Sequence, residues 1–564
     1  MIHNLWRMNS PALNYGCFEA CSRNHGDDFH HHNVKSYRRA PTDLLKTNVK
    51  KRYTIGFFLA IFILLLLIYR PSFSNPPRSD YWSAFYFFHL VNASDASPSH
   101  LHVLTYDPWQ HGTYRPLSFF IIYLEWLVFG AAFTGNHIVS FALYCVNLLL
   151  LYKLAMNFSL DRVLTLAFLA VFALLFSHFD IITWTFHVYS LLAFCSLLLG
   201  FNLFFTFLRS GRKRLLLPVG LFLLIGMLCY EVFALWPLAL IILLFLPRGG
   251  EESRLSKISP LASCLILLGA VYFSYFVIFL LMRSIGVYAV GPLLGPRHPI
   301  TGRSIILSVF APFFNLVYTG ILVNICPAVT MPALVRDNID MGGLLYSWAS
   351  KLNGITILTG GIAAVLFLGL GIFLFKKRRL RTLVLMIFLL FLLCSFFSTI
   401  SLARSITNPL FYVFIQFRYQ YVPNAITVLM VLVALNELTE PTRREKAIIC
   451  LALMPIFLAN LYFSNRYSSI LKTQLEPLRI MISNIKKEVR RGSINADAKL
   501  FIEEGITKTL PALCWNDDMA VFMGGTYQWI FSPEKIDYFT PEREEARWII
   551  RADDYRKIYP AGKK

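Results

Sequence analysis

The chain has 564 residues, of which 56% are hydrophobic and 15% charged, with a formal net charge of +21. Soluble domains carry roughly a quarter charged residues. The deficit therefore excludes an ordinary soluble enzyme and calls for long uncharged runs that cross a bilayer core about 30 Å thick. The basic excess is no nucleic-acid footprint, because Lys and Arg gather in short tracts at the ends of apolar runs, as positive-inside patterning requires.

Residues 1 to 50 are polar and aperiodic and contain His30-His31-His32. They read as a disordered cytoplasmic tail, with metal binding by the histidine tract as the alternative. No signal peptide is expected, since no apolar region lies in the first thirty residues. Lys50-Lys51-Arg52 abuts a span from Tyr53 to Tyr69 and keeps the N-terminus cytoplasmic. Residues 70–133 are then a first outer loop with Asp80, Asp95 and Asp107. The apolar run from Leu117 to Gly130 is short for a span and contains Glu125, which suits an interfacial helix with Pro116 in its first turn.

Further spans are expected over His137–Leu154, Val163–Phe176 and Val188–Leu208, the last ending at Arg209, Arg212, Lys213 and Arg214. A fifth rises to Tyr230-Glu231, a sixth descends to Arg248, and a seventh covers Leu261–Met282. A long Gly- and Pro-rich outer loop follows, 283–351. The eighth span stops at Lys376-Lys377-Arg378-Arg379, the ninth goes out to Ser401, the tenth returns to Arg443-Arg444, and the eleventh covers Ala447–Phe463. Inner loops then hold the dense basic tracts, while the short outer loops after spans three and five hold none.

The expected fold is thus an all-α polytopic membrane protein with about eleven transmembrane helices. Residues 51–463 form its transmembrane part. Residues 464–564 form a small extracytoplasmic α+β domain, in which 467–490 alternate apolar and basic residues at helical spacing. Of the ten cysteines, Cys145, Cys195, Cys229, Cys264, Cys394 and Cys450 sit in apolar runs as small hydrophobes. Cys326 and Cys514 would both face outward, and a disulfide between them cannot be read from sequence.

Ionisable groups at or near membrane depth are costly and mark candidate sites. In this topology the outer edge collects Asp80, Arg115, His137, His178, Asp180, His187, Glu231, Arg404 and Arg418, whereas the inner loops hold no such mixture of acids and histidines. Chemistry is therefore expected outside. His100, His102, Asp107 and His111 match no standard metal spacing, and no metal ligand is assigned. Asn92-Ala93-Ser94 is an outward-facing glycosylation sequon, meaningful only in a source with an endoplasmic reticulum.

The order Ser79-Asp80-Tyr81-Trp82, YRPLS (114–118), NHIVSFALYCVN (136–147), SHFDIITW (177–184), YEVFALWP (230–237) and RYQYVP (418–423) resembles the GT-C superfamily of polytopic glycosyltransferases. The likeness covers about 55–435 and is closest to bacterial relatives of protein O-mannosyltransferases and of the tetratricopeptide-bearing mannosyltransferases. It implies transfer, with inversion, of a sugar from a polyprenyl-phosphate donor to a hydroxyl of a protein, lipid or polysaccharide acceptor. A bacterial inner membrane fits better than an endoplasmic reticulum membrane. The resemblance makes no cofactor certain. A divalent metal stays open, though Ser79 stands where many relatives carry the first of two adjacent acids.

Inverting transfer needs a base for the acceptor proton and cations for the departing phosphate. The resemblance makes Asp80 the base, against a helix N-cap as the plain reading. Arg115 holds the acceptor or pairs with an acid. His137, His178 and Asp180 position substrate, the alternative for Asp180 being a salt bridge to Arg115 or Arg418. Glu231 stands where relatives have Lys-Glu. With Tyr230 in the lysine's place, it is protonated or finds another cation. Arg418 grips the donor phosphate, and Tyr419 and Tyr421 stack on sugar faces or belong to the interfacial aromatic belt. A transporter or flippase, and a GT-C-like scaffold without catalysis, are the competing readings.

Overall fold

A computed structural model of the chain describes residues 41–76, 115–129, 133–246, 255–284, 310, 312–313, 316, 341–404, 420–438, 441–495, 497–503, 543–551 and 553–561. By packing, the chain divides into two compact units, Met1–Ile55 and Gly56–Lys564. The second takes in the helices after the start of α1 and a small sheet.

The helices are α1 (Pro41–Tyr69), α2 (Pro116–Phe129), α3 (Thr134–Asn157), α4 (Arg162–Leu174), α5 (Phe179–Thr183), α6 (Val188–Ser210), α7 (Leu216–Cys229) and α8 (Ala239–Leu243). They continue with α9 (Leu255–Ser284), α10 (Met341–Lys376), α11 (Leu380–Arg404), α12 (Tyr421–Leu438) and α13 (Arg443–Arg490). Boundaries follow local chemistry. Asp161 caps α4 by accepting from the amides of Val163 (2.9 Å) and Leu164 (3.0 Å). Gly211 closes α6 in the left-handed conformation that glycine adopts freely. Thr442 and Glu445 form a reciprocal capping box at the head of α13.

Six helical segments are long and apolar enough to cross a membrane among the described residues: Arg52–Ser74, Thr134–Asn157, Thr185–Ser210, Pro260–Leu281, Leu380–Ile400 and Arg443–Thr473. A seventh is added if the pair Arg162–Leu174 and Phe176–Thr183, bent by 57°, is one broken span. The chain is thus a helical, membrane-type protein, but the expectation of about eleven spans is corrected downward. The fifth expected span is the 14-residue α7, about 21 Å long. The sixth is two 3-10 turns and the five-residue α8, because extended Tyr230 and then Pro237 interrupt the helix. The described apolar part of the eighth, Gly360–Lys376, and the tenth, Tyr421–Asn436, are also short. The eleventh does not stop at Phe463 but continues to Arg490 in one 48-residue helix, about 72 Å long.

Helix α6 is the axis of the packing, with 72% of its span buried against 17% for α9 and 11% for α13. Small residues bring α7 against it. A Cβ on Gly226 would stand 2.7 Å from Leu197 Cγ, and one on Gly200 3.2 Å from Leu223 Cδ2. Such close approach is how apolar helices gain packing energy where lipid offers no hydrophobic contrast.

The turn between α3 and α4 gathers the basic end of the bundle. Arg209 donates to Asn157 Oδ1 (3.1 Å) and to its carbonyl (2.8 Å), and Arg381 to the Phe158 carbonyl (3.1 Å). Lys446 pairs with Asp161 at 2.6 Å, and the Asp161 amide donates to Asn436 at 2.8 Å. Cations meet helix C-terminal carbonyls there, as the helix dipole favours.

Beyond α13 lie strands β1 (Leu500–Ile502), β2 (Trp548–Ile550) and β3 (Tyr559–Pro560), ordered β1-β2-β3. The first pair is parallel, with Leu500 opposite Trp548, and the second antiparallel, with Ile549 opposite Tyr559. Trp548 Nε1 donates to the Ser493 carbonyl at 2.7 Å, which ties β2 to the turn after α13.

Candidate functional site

The C-terminus of α7 and the N-termini of α2 and α6 meet at the end of the bundle away from the Lys/Arg tracts. Tyr230 leaves α7 in extended conformation and starts the 3-10 turn Glu231–Phe233, which turns Glu231 back toward the head of α2. Pro116 opens α2, where its missing N–H costs little, and leaves Arg115 just outside the helix. Ser118 donates to the Cys229 carbonyl and fastens α2 to the end of α7.

Arg115 and Glu231 make a two-point contact. Arg115 Nη2 donates to Glu231 Oε1 at 2.5 Å, and Nε donates to Oε2. Nη1 donates to the Tyr189 hydroxyl at 3.4 Å. The guanidinium carbon lies 4.7 Å from the Tyr230 ring centre and 5.7 Å from that of Tyr189. The side chains of Arg115 and Glu231 are 13% and 11% exposed, so the pair is largely out of water. A planar fork on a carboxylate with aromatic faces around it is a geometry lysine cannot supply. Among the described residues three of the five guanidinium donors are engaged.

Of the two sequence alternatives for Arg115, the structure has it pairing with an acid, and that acid is Glu231. Glu231, without a lysine beside it in sequence, has its cation from Arg115, the residue just before α2.

His178 is wholly buried. Its Nδ1 lies 2.9 Å from the Tyr144 hydroxyl and its Nε2 3.3 Å from Asn424 Nδ2. Tyr421 is buried beside it, ring centres 5.0 Å apart, and packs also on Tyr144, Phe172 and Phe194. Asp180 is partly exposed on α5, two residues from His178. His187 lies against Trp184 and Tyr189. His137 is buried near the head of α3, with Nε2 3.2 Å from the Asn75 carbonyl and its ring stacked on Phe73. Nearby, Asn136 donates to Glu125 at 3.1 Å.

Asp80, Arg418 and Tyr419 lie outside the described residues, as do His30–His32, Asn92, the 100–111 histidines, Cys326 and Cys514. Among the described residues no three His, Cys, Asp or Glu side chains cluster as metal ligands would.

Tyr189, Tyr144, Asn424 and Asn460 are polar partners that the sequence reading passed over. Their signal was present. An amide or hydroxyl isolated in an apolar run must find a partner or bear an unmet desolvation cost.

No known protein family matches the chain, and no curated protein is detectably similar to it.

Proposed function

We propose that the chain is an inverting membrane glycosyltransferase that takes a sugar from a polyprenyl-phosphate donor and places it on an acceptor hydroxyl at the extracytoplasmic face. The observation that carries this reading is the sheltered Arg115–Glu231 pair, flanked by Tyr189 and Tyr230, at the bundle end remote from the basic tracts. Positive-inside patterning puts that end outside. Tyrosine faces with a carboxylate and a guanidinium are the groups that hold sugar hydroxyls.

In the proposed reaction Asp80 takes the acceptor proton as the acceptor oxygen attacks the anomeric carbon. The bond from that carbon to the phosphate oxygen breaks, and the electron pair leaves with polyprenyl phosphate. Arg418 stabilises that phosphate. Arg115 and Glu231 orient the sugar or the acceptor beside it. A protein, a lipid and a polysaccharide all present the required hydroxyl.

Mass spectrometry of glycolipids, glycoproteins and envelope polymers from a deletion strain tests the reading. One glycoform should vanish, return with the intact gene, and stay absent with Asp80→Asn expressed at normal level. An unchanged glycan inventory overturns the proposal, and full rescue by Asp80→Asn removes Asp80 as the base.

The 57° break between Leu174 and Phe176 favours a second reading, since transporters place binding sites at broken helices. Flux of a lipid-linked sugar across vesicles holding the pure protein, with no glycosyl product, would decide for transport.

A further inference from the structure

We infer that His178 is a positioning residue, a neutral imidazole protonated on Nδ1 that joins the connection bearing Asp180 to the first turn of α12. It contacts no solvent, so it acts through other residues. Asn424 Nδ2 can only donate. It lies 2.9 Å from Ser177 Oγ and 3.3 Å from His178 Nε2, so Nε2 is an acceptor and carries no proton. A neutral ring then has its proton on Nδ1, which donates to the Tyr144 oxygen at 2.9 Å. The Tyr144 hydroxyl in turn donates to the Ala173 carbonyl at 2.9 Å, near the end of α4. All these hydrogen bonds run one way, from Asn424 through His178 and Tyr144 to Ala173. Phe172 and Tyr421, 4.5 and 5.0 Å from the ring centre, fix the plane of the imidazole edge-on.

What the ring joins gives it a purpose. Asp180 follows His178 by two residues, and Asn424 follows Gln420, where the chain leaves the Arg418 segment and enters α12. Tyr144 is on α3, two turns beyond His137. Three stretches that carry proposed substrate contacts are thus referred to one buried ring. An imidazolium, or the other tautomer, would set an N–H against the Asn424 amide and loosen the joint.

The role in transfer rests on the glycosyltransferase reading, and the test separates the two. Solid-state NMR of full-length protein labelled with 15N-histidine in lipid bilayers should give, for the resonance lost in His178→Ala, a protonated Nδ1 and a bare Nε2. A proton on Nε2 overturns the inference. In kinetics, folded His178→Ala should lose roughly tenfold to a hundredfold in kcat with KM for the lipid donor within about twofold. His178→Asn, which keeps a donor toward Tyr144, should recover part of that loss. Wild-type kcat in folded His178→Ala would sink the positioning role. Absence of transfer by the wild-type protein would instead sink the functional reading, and the NMR measurement would still decide the joint.

Discussion

Arg115 and Glu231 stand 116 positions apart and close on each other through two hydrogen bonds, largely out of water. Removing one partner leaves a buried charge without compensation, which costs about 3–5 kcal/mol. Arg115→Met and Glu231→Gln should each lower thermal stability in detergent by that order. The double Arg115→Met, Glu231→Gln variant should be less damaged than the sum of its parts. Strict additivity in that cycle would show that the two side chains do not interact.

The break at Leu175 frees backbone groups that lipid cannot satisfy. Helix α13 meets them. The Phe176 amide donates to Asn460 Oδ1 at 2.9 Å, and Ser464 Oγ donates to the Leu174 carbonyl at 3.2 Å. Asn460→Leu should therefore destabilise by about 1–3 kcal/mol despite its greater hydrophobicity. Chemical denaturation in mixed micelles is the measurement, and a neutral or stabilising result would refute this role for Asn460.

Gly226 and Gly369 make a matched pair for the packing argument. A methyl group on Gly226 meets Leu197 Cγ at 2.7 Å and the Ala193 carbonyl at 3.3 Å, whereas one on Gly369 meets nothing among the described residues within 4 Å. Gly226→Ala should cost about 1–3 kcal/mol through overpacking. Gly369→Ala should be neutral or stabilising by up to about 1 kcal/mol, because alanine favours helix. Equal effects at the two sites would disprove close α6–α7 packing.

Asp161 gives the stability a pH dependence. Burial alone would lift its carboxyl pKa, but hydrogen bonds from Lys446 and from the Leu164 and Val163 amides overcome this and hold it below the usual range. A depressed carboxyl stabilises the fold above the unfolded pKa of about 3.9. That contribution disappears as pH falls through the folded value. Asp161→Ala also loses the helix cap and should cost about 0.5–2 kcal/mol at pH 7, with Asp161→Asn, which can still cap, costing less. The gap between wild type and Asp161→Asn should close as melts are taken below about pH 4. A gap independent of pH would show that the carboxylate charge contributes nothing.

The site was legible in part. That Arg115 and Glu231 matter could be read from their rarity beside apolar runs, since charge at membrane depth needs a reason. That they are each other's partners could not, because nothing in residues 115 and 231 encodes the turn at Tyr230 that brings them together. His178 was likewise visible as a candidate for substrate contact. Its burial, and the donor order running through it, depend on Asn424, 246 positions away.

Hydropathy and charge already identify a helical membrane protein and locate its basic tracts, because both act locally along a run of residues. The same local signals also placed the ends of α3, α6 and α11 to within a few residues. That the expected fifth and sixth spans are short, broken pieces, and that α13 continues past Phe463, becomes visible in the folded chain alone. Whether an apolar run becomes a full span depends on which neighbours satisfy its backbone and fill its surface, and those neighbours are far away in the chain.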